Sequence, residues 1–300
     1  MDMSIDLNGL KLKNPVTVAS GTFGFGEEYA EFIDLNKIGA ISVKGLTLKP
    51  KEGNPSPRLH ETSMGLLNSV GLENPGVKVF IEEYIPYLRQ FDTKIIANIN
   101  GANLDEYKEM AWILDKEDVD SIELNISCPN VKDGGLAFGT NPDIVREIVS
   151  EIRKCTSKHL IVKLSPNVTD IKEIAIIVEE CGADAISLIN TVAGMAIDID
   201  KQESVMKRKV AGLSGPAIKP IAIRKVFEVA SVVDIPILGM GGIVNSSDAV
   251  EFVLAGASAI AVGTGNFINP ETVMEVIEGI ENYLRKKKCK KYSDIIGLVK

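Results

Sequence analysis

Lysines and asparagines recur in this sequence where short apolar segments end. Lys44, Lys163, Asn98, Asn125 and Asn190 each stand at or just after such a segment. Their side chains offer N–H donors that suit carbonyl and carboxylate oxygens. Any one of them alone is most simply a loop cap. Five together indicate a binding site for a ligand rich in oxygen acceptors.

Two glycine turns follow the last two apolar segments. Gly241 and Gly242 belong to GMGGIVN, and Gly263 and Thr264 belong to VGTGN. Backbone N–H groups in such turns bind phosphate after the last strands of a β/α barrel. Either turn alone is a weak motif, and neither has the strand–GxGxxG–helix spacing of a dinucleotide fold. The pair predicts a phosphate site.

Cys128 lies in a glycine-rich segment, ELNISCPNVKDGGLAFGTNPD, just past an apolar run. A lone cysteine is most often a small buried hydrophobe. At a strand end near lysines, a neutral thiol is suited to act as a base once substrate closes the loop, and a covalent nucleophile is a second option. The chain has only two histidines, His60 and His159, and neither is placed to activate the thiol. The other three cysteines are interpreted as structural or solvated: Cys155, Cys181 and Cys289.

The segments that carry these residues alternate with helical patterns. Continuous Val- and Ile-rich runs are typical of parallel strands buried on both faces. Eight alternations predict a single (β/α)8 TIM barrel domain over residues 1–300, with its active site at the C-terminal ends of the strands. The alternative, an open doubly wound sheet, usually stops at five or six strands. The predicted strands are 16–19, 39–43, 95–99, 119–126, 160–164, 184–189, 235–239 and 258–263.

Two connections, 44–75 and 190–216, are too long for simple loops. Their length predicts that they have a functional role or contain small secondary-structure elements of their own.

The formal net charge of −8 argues against nucleic-acid binding. No apolar run approaches the ~20 residues needed to span a membrane, and the N-terminus lacks the pattern of a signal peptide. Four dispersed cysteines without a CxxC pair predict neither disulfides nor a zinc or iron–sulfur site. The expected localisation is cytoplasmic.

Several longer motifs resemble one enzyme family. SVKGLTLKP, PRLHETSMGLLNSVGLENPG, NISCPNVKDGG, NTVAGMAID, AGLSGPAIKP, GMGGI and VGTGNF occur in the order found in class 1 dihydroorotate dehydrogenases. The resemblance covers residues from about 5 to 270. A cysteine in the SCPN motif fits class 1, and NVKDGGLAFGT with GLSGPAIKP is more similar to the NAD-linked subclass 1B than to the fumarate-linked subclass 1A.

The resemblance implies one FMN per chain, oxidation of (S)-dihydroorotate to orotate in pyrimidine (UMP) biosynthesis, and no bound metal. Cys128 would abstract the C5 proton while the C6 hydride passes to FMN, and Lys163 would lie near the N1/O2 edge of the flavin. The implied FMN-binding residues are Ser20, Lys44, Gly45, Asn98, Asn125, Lys163, Ile189, Gly215, Gly241, Gly242, Gly263 and Thr264. The implied substrate-binding residues are Lys44, Asn68, Gly71, Leu72, Asn125, Asn130, Asn190 and Thr191.

The same resemblance implies a homodimer that joins a partner subunit carrying FAD and a [2Fe–2S] cluster, giving a heterotetramer that passes electrons to NAD. Alternatives remain: the fumarate-linked 1A enzyme, another FMN barrel such as a dihydropyrimidine dehydrogenase, and a flavin-free phosphate-binding lyase or isomerase. A non-enzymatic binding module would leave the converging lysines and asparagines without a ligand.

Overall fold

The computed structural model describes residues 1–127 and 138–299. Eight parallel strands close into a barrel, in which each strand pairs with the next along the chain and the eighth pairs with the first. The predicted (β/α)8 barrel is therefore confirmed, and each strand lies within three residues of its predicted bounds. The strands are β1 (Val16–Val18), β2 (Ala40–Ser42), β3 (Lys94–Ile99), β4 (Ser121–Asn125), β5 (His159–Lys163), β6 (Ala185–Leu188), β7 (Ile237–Met240) and β8 (Ala259–Val262).

Helices pack around the outside of the barrel. Asn and Asp side chains cap four of them by accepting backbone N–H bonds, which is the usual helix start signal. The helices are α1 (Val77–Val79, a π-helical turn Phe80–Tyr84 and Ile85–Leu88), α2 (Leu104–Leu114), α3 (Pro142–Cys155), α4 (Ile171–Glu180), α5 (Lys219–Ala230), α6 (Ser246–Leu254), α7 (Gly265–Ile268) and α8 (Thr272–Lys287).

The first β/α unit departs from the predicted alternation. Between β1 and β2 the chain forms only two short 3₁₀ turns, Tyr29–Glu31 and Leu35–Lys37. The segment between them is interrupted by Asp34, whose side chain accepts from the Asn36 backbone N–H and so favours a turn. Among the described residues, no helix is both long and apolar enough to cross a bilayer.

A hairpin that the sequence did not reveal closes the N-terminal end of the barrel. Strands Ile5–Leu7 and Leu10–Leu12 pair antiparallel. Their buried leucines pack with the lowest inward-facing side chains of the barrel, including Ala40, Ile96 and Ile161. The hairpin therefore seals the barrel at the end opposite the predicted site.

Replacing Leu7 with alanine is expected to lower the free energy of unfolding by about 2–5 kcal/mol, because Leu7 is fully buried and its removal leaves a cavity. Urea unfolding of the apoprotein measures the change. Leu298 is 59% exposed, so Leu298→Ala serves as the control and should shift the unfolding free energy by less than about 0.5 kcal/mol. Equal effects of the two substitutions would contradict the sealing role of the hairpin.

The two long connections meet above the other end of the barrel. Leu59–Thr62 and Gly65–Asn68 from the first connection form a four-stranded antiparallel sheet with Val192–Gly194 and Ala211–Ser214 from the second. A smaller hairpin, Ile197–Asp198 with Glu203–Ser204, extends from the same region. The prediction that these connections contain elements of their own is confirmed. They form one wall of the cavity described next.

Candidate active site

A cavity of about 770 Å³ opens at the C-terminal ends of the barrel strands. All twelve residues predicted to bind FMN line it, as do seven of the eight predicted to bind substrate. The eighth, Asn130, and the predicted base Cys128 lie outside the described residues. Ser127 and Thr140, which stand on either side of the undescribed stretch, both line the cavity. The structure thus brings the described members of the predicted set to one place.

Strand alternation explains this convergence. Successive side chains of a strand point to opposite faces, so every second residue of a barrel strand points inward. Lys163 at the end of β5 is paired in register with Asn125 at the end of β4, so the two share one level of the barrel. Asn190 donates to the Asn125 side-chain oxygen at 3.3 Å. Side chains far apart in sequence therefore meet at one mouth.

The cavity is positively charged in a chain of net charge −8. Four cations line it, Lys44, Lys51, Lys163 and Arg208, and no Asp or Glu of the described chain does. None of the four makes an ion pair within 4.0 Å of a described carboxylate. Burial lowers the pKa of Lys44, and nearby Glu73 partly opposes that shift. Lys163 is buried and Lys44 is half-buried, whereas Lys51 and Arg208 are exposed. Unpaired, partly desolvated cations such as Lys44 and Lys163 favour an anionic ligand.

Three buried polar atoms of the lining have no hydrogen-bond partner among the described residues. They are the hydroxyl oxygens of Ser69 and Ser127 and the side-chain oxygen of Asn100. Buried polar groups are nearly always hydrogen-bonded, so unpaired ones in residues that line a cavity indicate a polar ligand. The sequence interpretation missed all three. Asn100 alone carried a signal, since it lies two residues after Asn98, just past the end of β3.

The glycine turns form a cradle of backbone. Gly215, Gly241 and Gly242 have φ values of +93°, +126° and +85°, which side-chain-bearing residues rarely adopt. A Cβ on Gly242 would lie 2.8 Å from the Gly215 carbonyl oxygen, so the two turns touch. The Thr264 hydroxyl donates to Ser214 at 2.8 Å and joins the third turn to this cradle. The arrangement leaves backbone groups accessible to a phosphate.

Gly263→Ala is expected to leave the apoprotein as stable as wild type but to weaken FMN binding at least about tenfold. A Cβ at Gly263 would meet only Ala19, at an ordinary 3.6 Å, so its methyl group would occupy cavity space without straining the fold. Titration of apoprotein with FMN, followed by flavin fluorescence, measures the affinity. Gly242→Ala provides the contrast, because its Cβ would strike backbone and destabilise the apoprotein itself. Unchanged FMN affinity in Gly263→Ala would argue against this position for the cofactor.

Neither histidine reaches the cavity. His159 begins β5 at the sealed end of the barrel, where its Nε2 lies 2.6 Å from the Leu7 carbonyl oxygen and its Nδ1 2.9 Å from the Ser121 hydroxyl. Burial lowers the pKa of His159. His60 lies in the antiparallel sheet and is not part of the lining. A general base in this cavity must therefore be another kind of side chain.

The family model for dihydroorotate dehydrogenase matches residues 3–284 of the chain. The dihydroorotate dehydrogenase B (NAD(+)) catalytic subunit of Thermoanaerobacter pseudethanolicus is 57% identical over 300 residues, which are 100% of this chain and 99% of that protein. The protein of the same name from Alkaliphilus metalliredigens is 55% identical over 297 residues, 99% of this chain and 98% of the relative. That of Geotalea daltonii is 51% identical over 300 residues, 100% and 98% of the two chains.

Proposed function

The chain belongs to the dihydroorotate dehydrogenase family, and from that premise we propose that it oxidises dihydroorotate to orotate with FMN bound in the barrel mouth. The observation that carries the proposal is the cavity itself, where unpaired cations, unpaired buried polar atoms and a glycine cradle converge at the C-terminal ends of the strands. The reaction belongs to pyrimidine biosynthesis. One domain, residues 1–300, carries the whole site.

The lining fits FMN in three respects. Gly215, Gly241, Gly242, Gly263 and Thr264 supply accessible backbone and a hydroxyl for the phosphate. Lys163 supplies a buried positive charge for the ring, and amides supply donors and acceptors. FMN held by these residues would supply the acceptor for the hydride that leaves the substrate. The remaining FMN contacts in this proposal are Ser20, Lys44, Gly45, Asn98, Asn125 and Ile189.

The substrate is an anion with two ring amides, and the other half of the cavity suits it. Lys44 provides a cation for the carboxylate, and Asn125, Asn190 and Thr191 provide donors and acceptors for the ring. Asn68 comes from the antiparallel sheet, where its side chain donates to the Gly212 carbonyl at 3.2 Å. Gly71, Leu72 and Asn130 complete the proposed substrate set, and Asn130 lies outside the described residues.

Cys128 is the proposed general base. It follows Ser127, which lines the cavity, at the end of β4. Its thiol removes the C5 proton of dihydroorotate while the lining holds the ring in place. Although Cys128 itself lies outside the described residues, no histidine lines the described cavity to take that role.

We further propose that the electrons pass to NAD through a partner subunit that carries FAD and a [2Fe–2S] cluster, in a heterotetramer built on a homodimer of this chain. The relatives named above are catalytic subunits of NAD-linked enzymes, and that name implies a partner. Within the described residues, no cluster of three or more His, Cys, Asp or Glu side chains is suited to hold a metal ion. The proposal places the complex in the cytoplasm.

Anaerobic mixing of the FMN-loaded chain with dihydroorotate tests the proposed reaction. Prompt bleaching of the flavin absorbance is the expected result. No bleaching in a chain that does hold FMN would reject dihydroorotate as substrate and favour a related barrel, such as one that reduces uracil or thymine. Such an enzyme would not require the ring carboxylate. A colourless protein unable to bind FMN would reject the flavoenzyme altogether.

A second assay separates the NAD-linked proposal from the fumarate-linked alternative. The isolated chain, once reduced, should transfer electrons to NAD far more slowly than the complex with its FAD and iron–sulfur subunit. Fast reoxidation of the isolated chain by fumarate would instead favour the 1A reaction. Rapid reduction of NAD by the isolated chain would contradict the need for a partner.

A further inference from the structure

A row of three buried polar side chains leads from the barrel interior to the cavity. It begins at Glu123 on β4, which is fully buried. Its carboxylate accepts hydrogen bonds from the hydroxyls of Ser42 at 2.9 Å and Ser187 at 2.7 Å, and from the side-chain nitrogen of Asn98 at 2.5 Å. No cation of the described chain lies within ion-pair distance of it. Glu123 is thus held by neutral donors from three other strands.

This carboxylate sets the direction of the next two side chains. Asn98 turns its NH₂ group toward Glu123 and donates to one carboxylate oxygen. The Asn98 oxygen is then left to accept from the Asn100 side-chain nitrogen, at 2.9 Å. Asn100 must in turn direct its own oxygen away from Asn98. That oxygen is buried and has no partner among the described residues, and Asn100 lines the cavity.

The packing around Gly45 supports the same geometry. A Cβ at position 45 would lie 2.6 Å from the Asn100 side-chain nitrogen and 3.1 Å from the Asn98 side-chain oxygen. The two atoms of the Asn98–Asn100 hydrogen bond therefore pass directly beside a glycine. Any larger residue there would push the two amides apart.

We propose that Asn100 is a ligand-binding residue whose side-chain oxygen accepts a hydrogen bond from an imide N–H. Glu123 is the positioning residue that sets this polarity, and it acts through Asn98. The inference rests on the proposed function, since FMN and dihydroorotate each carry a ring N–H between two carbonyl groups. The Asn100 oxygen would favour rings with an N–H group at this position. It would disfavour rings that carry an N-methyl group or an unprotonated nitrogen there.

The test compares ligands that differ only in this N–H. Apoprotein is titrated with FMN and with 3-methyl-FMN, and FMN-loaded protein with dihydroorotate and its N3-methyl analogue. The substitution is Asn100→Leu, which keeps the number and branching of the side-chain heavy atoms but removes the acceptor. Asn100→Leu should weaken binding of the ligand that contacts Asn100 by about 10- to 100-fold. Binding of the methylated analogue of that ligand should stay nearly unchanged. The affected pair identifies the flavin or the substrate as the partner.

Two matched controls isolate the effect. Asn266 is equally buried and has an unpaired side-chain oxygen, but it lies outside the cavity lining, so Asn266→Leu should preserve the affinity ratio between N–H and methyl ligands. Glu123→Gln is a second test variant. A glutamine side chain both donates and accepts, so the Asn98 and Asn100 amides are free to rotate by 180°. The affinity ratio between the N–H ligand and its methyl analogue should therefore fall several-fold. Asp120→Asn removes a carboxylate just before the start of the same strand, where it bonds Lys94 and Arg89, and should leave the ratio unchanged.

Unchanged ratios in both Asn100→Leu and Glu123→Gln, for both ligand pairs, would overturn the inference. If Asn100→Leu does not fold, an unchanged ratio in Glu123→Gln decides against it alone. These results differ from failure of the proposed function, which would appear as a wild-type chain that binds no FMN.

Discussion

Cys128→Ser is expected to slow reduction of bound FMN by dihydroorotate by about 10²- to 10⁴-fold near neutral pH, the usual contribution of a general base. A free thiol titrates near pH 8.5, whereas a serine hydroxyl stays protonated throughout the accessible range. The rate of the variant should therefore keep rising with pH beyond the point at which the wild-type rate levels off. Anaerobic stopped-flow measurement of flavin bleaching between about pH 6 and 10 gives both rates.

The FMN content of Cys128→Ser should equal that of wild type, because the twelve proposed cofactor contacts are intact. Cys155→Ser is the matched control. Cys155 ends α3, is half-buried against the helical layer and does not line the cavity, so its loss should leave the reduction rate unchanged. Equal reduction rates in Cys128→Ser and wild type would remove Cys128 from the mechanism.

Lys163→Met is expected to lower the midpoint potential of bound FMN by tens of millivolts and to weaken FMN binding at least about tenfold. Lys163 is only 5% exposed and has no carboxylate partner within 4.0 Å among the described residues. Its charge is therefore available to the ligand. Reduced flavin is anionic, and a cation about 4 Å away at an effective dielectric of 20 contributes about 4 kcal/mol. Methionine retains the length of the side chain without its charge.

Redox titration with reference dyes measures the potential, and fluorescence titration measures the affinity. Lys225→Met is the control, since Lys225 is also buried but lies on α5 and pairs with Glu228 outside the cavity. It should reduce stability without changing the flavin potential. A wild-type potential in Lys163→Met would contradict the assigned place of the lysine beside the ring.

The sequence alone predicted the parts of the protein that depend on local pattern. Apolar runs of four to eight residues, such as LIVKL, indicate buried parallel strands from the local sequence alone. β5 covers most of that run. Caps such as Asn141 and Asp170 mark helix starts because they bind backbone groups within three residues. Residues at strand ends, including Lys44 and Gly241, could be assigned to one site because a closed barrel brings those ends together.

Long-range pairing was decided only in the tertiary structure. Gly65–Asn68 joins Ala211–Ser214 across more than a hundred residues, and no local pattern specifies such a partner. The N-terminal hairpin is similar. It buries Leu7, Leu10 and Leu12 against the apolar end of the barrel, and that surface forms only when the barrel closes. The polarity of Asn100 depends on a carboxylate on the neighbouring strand. Strand periodicity tells which residues face inward, but contacts among inward side chains depend on barrel closure and register.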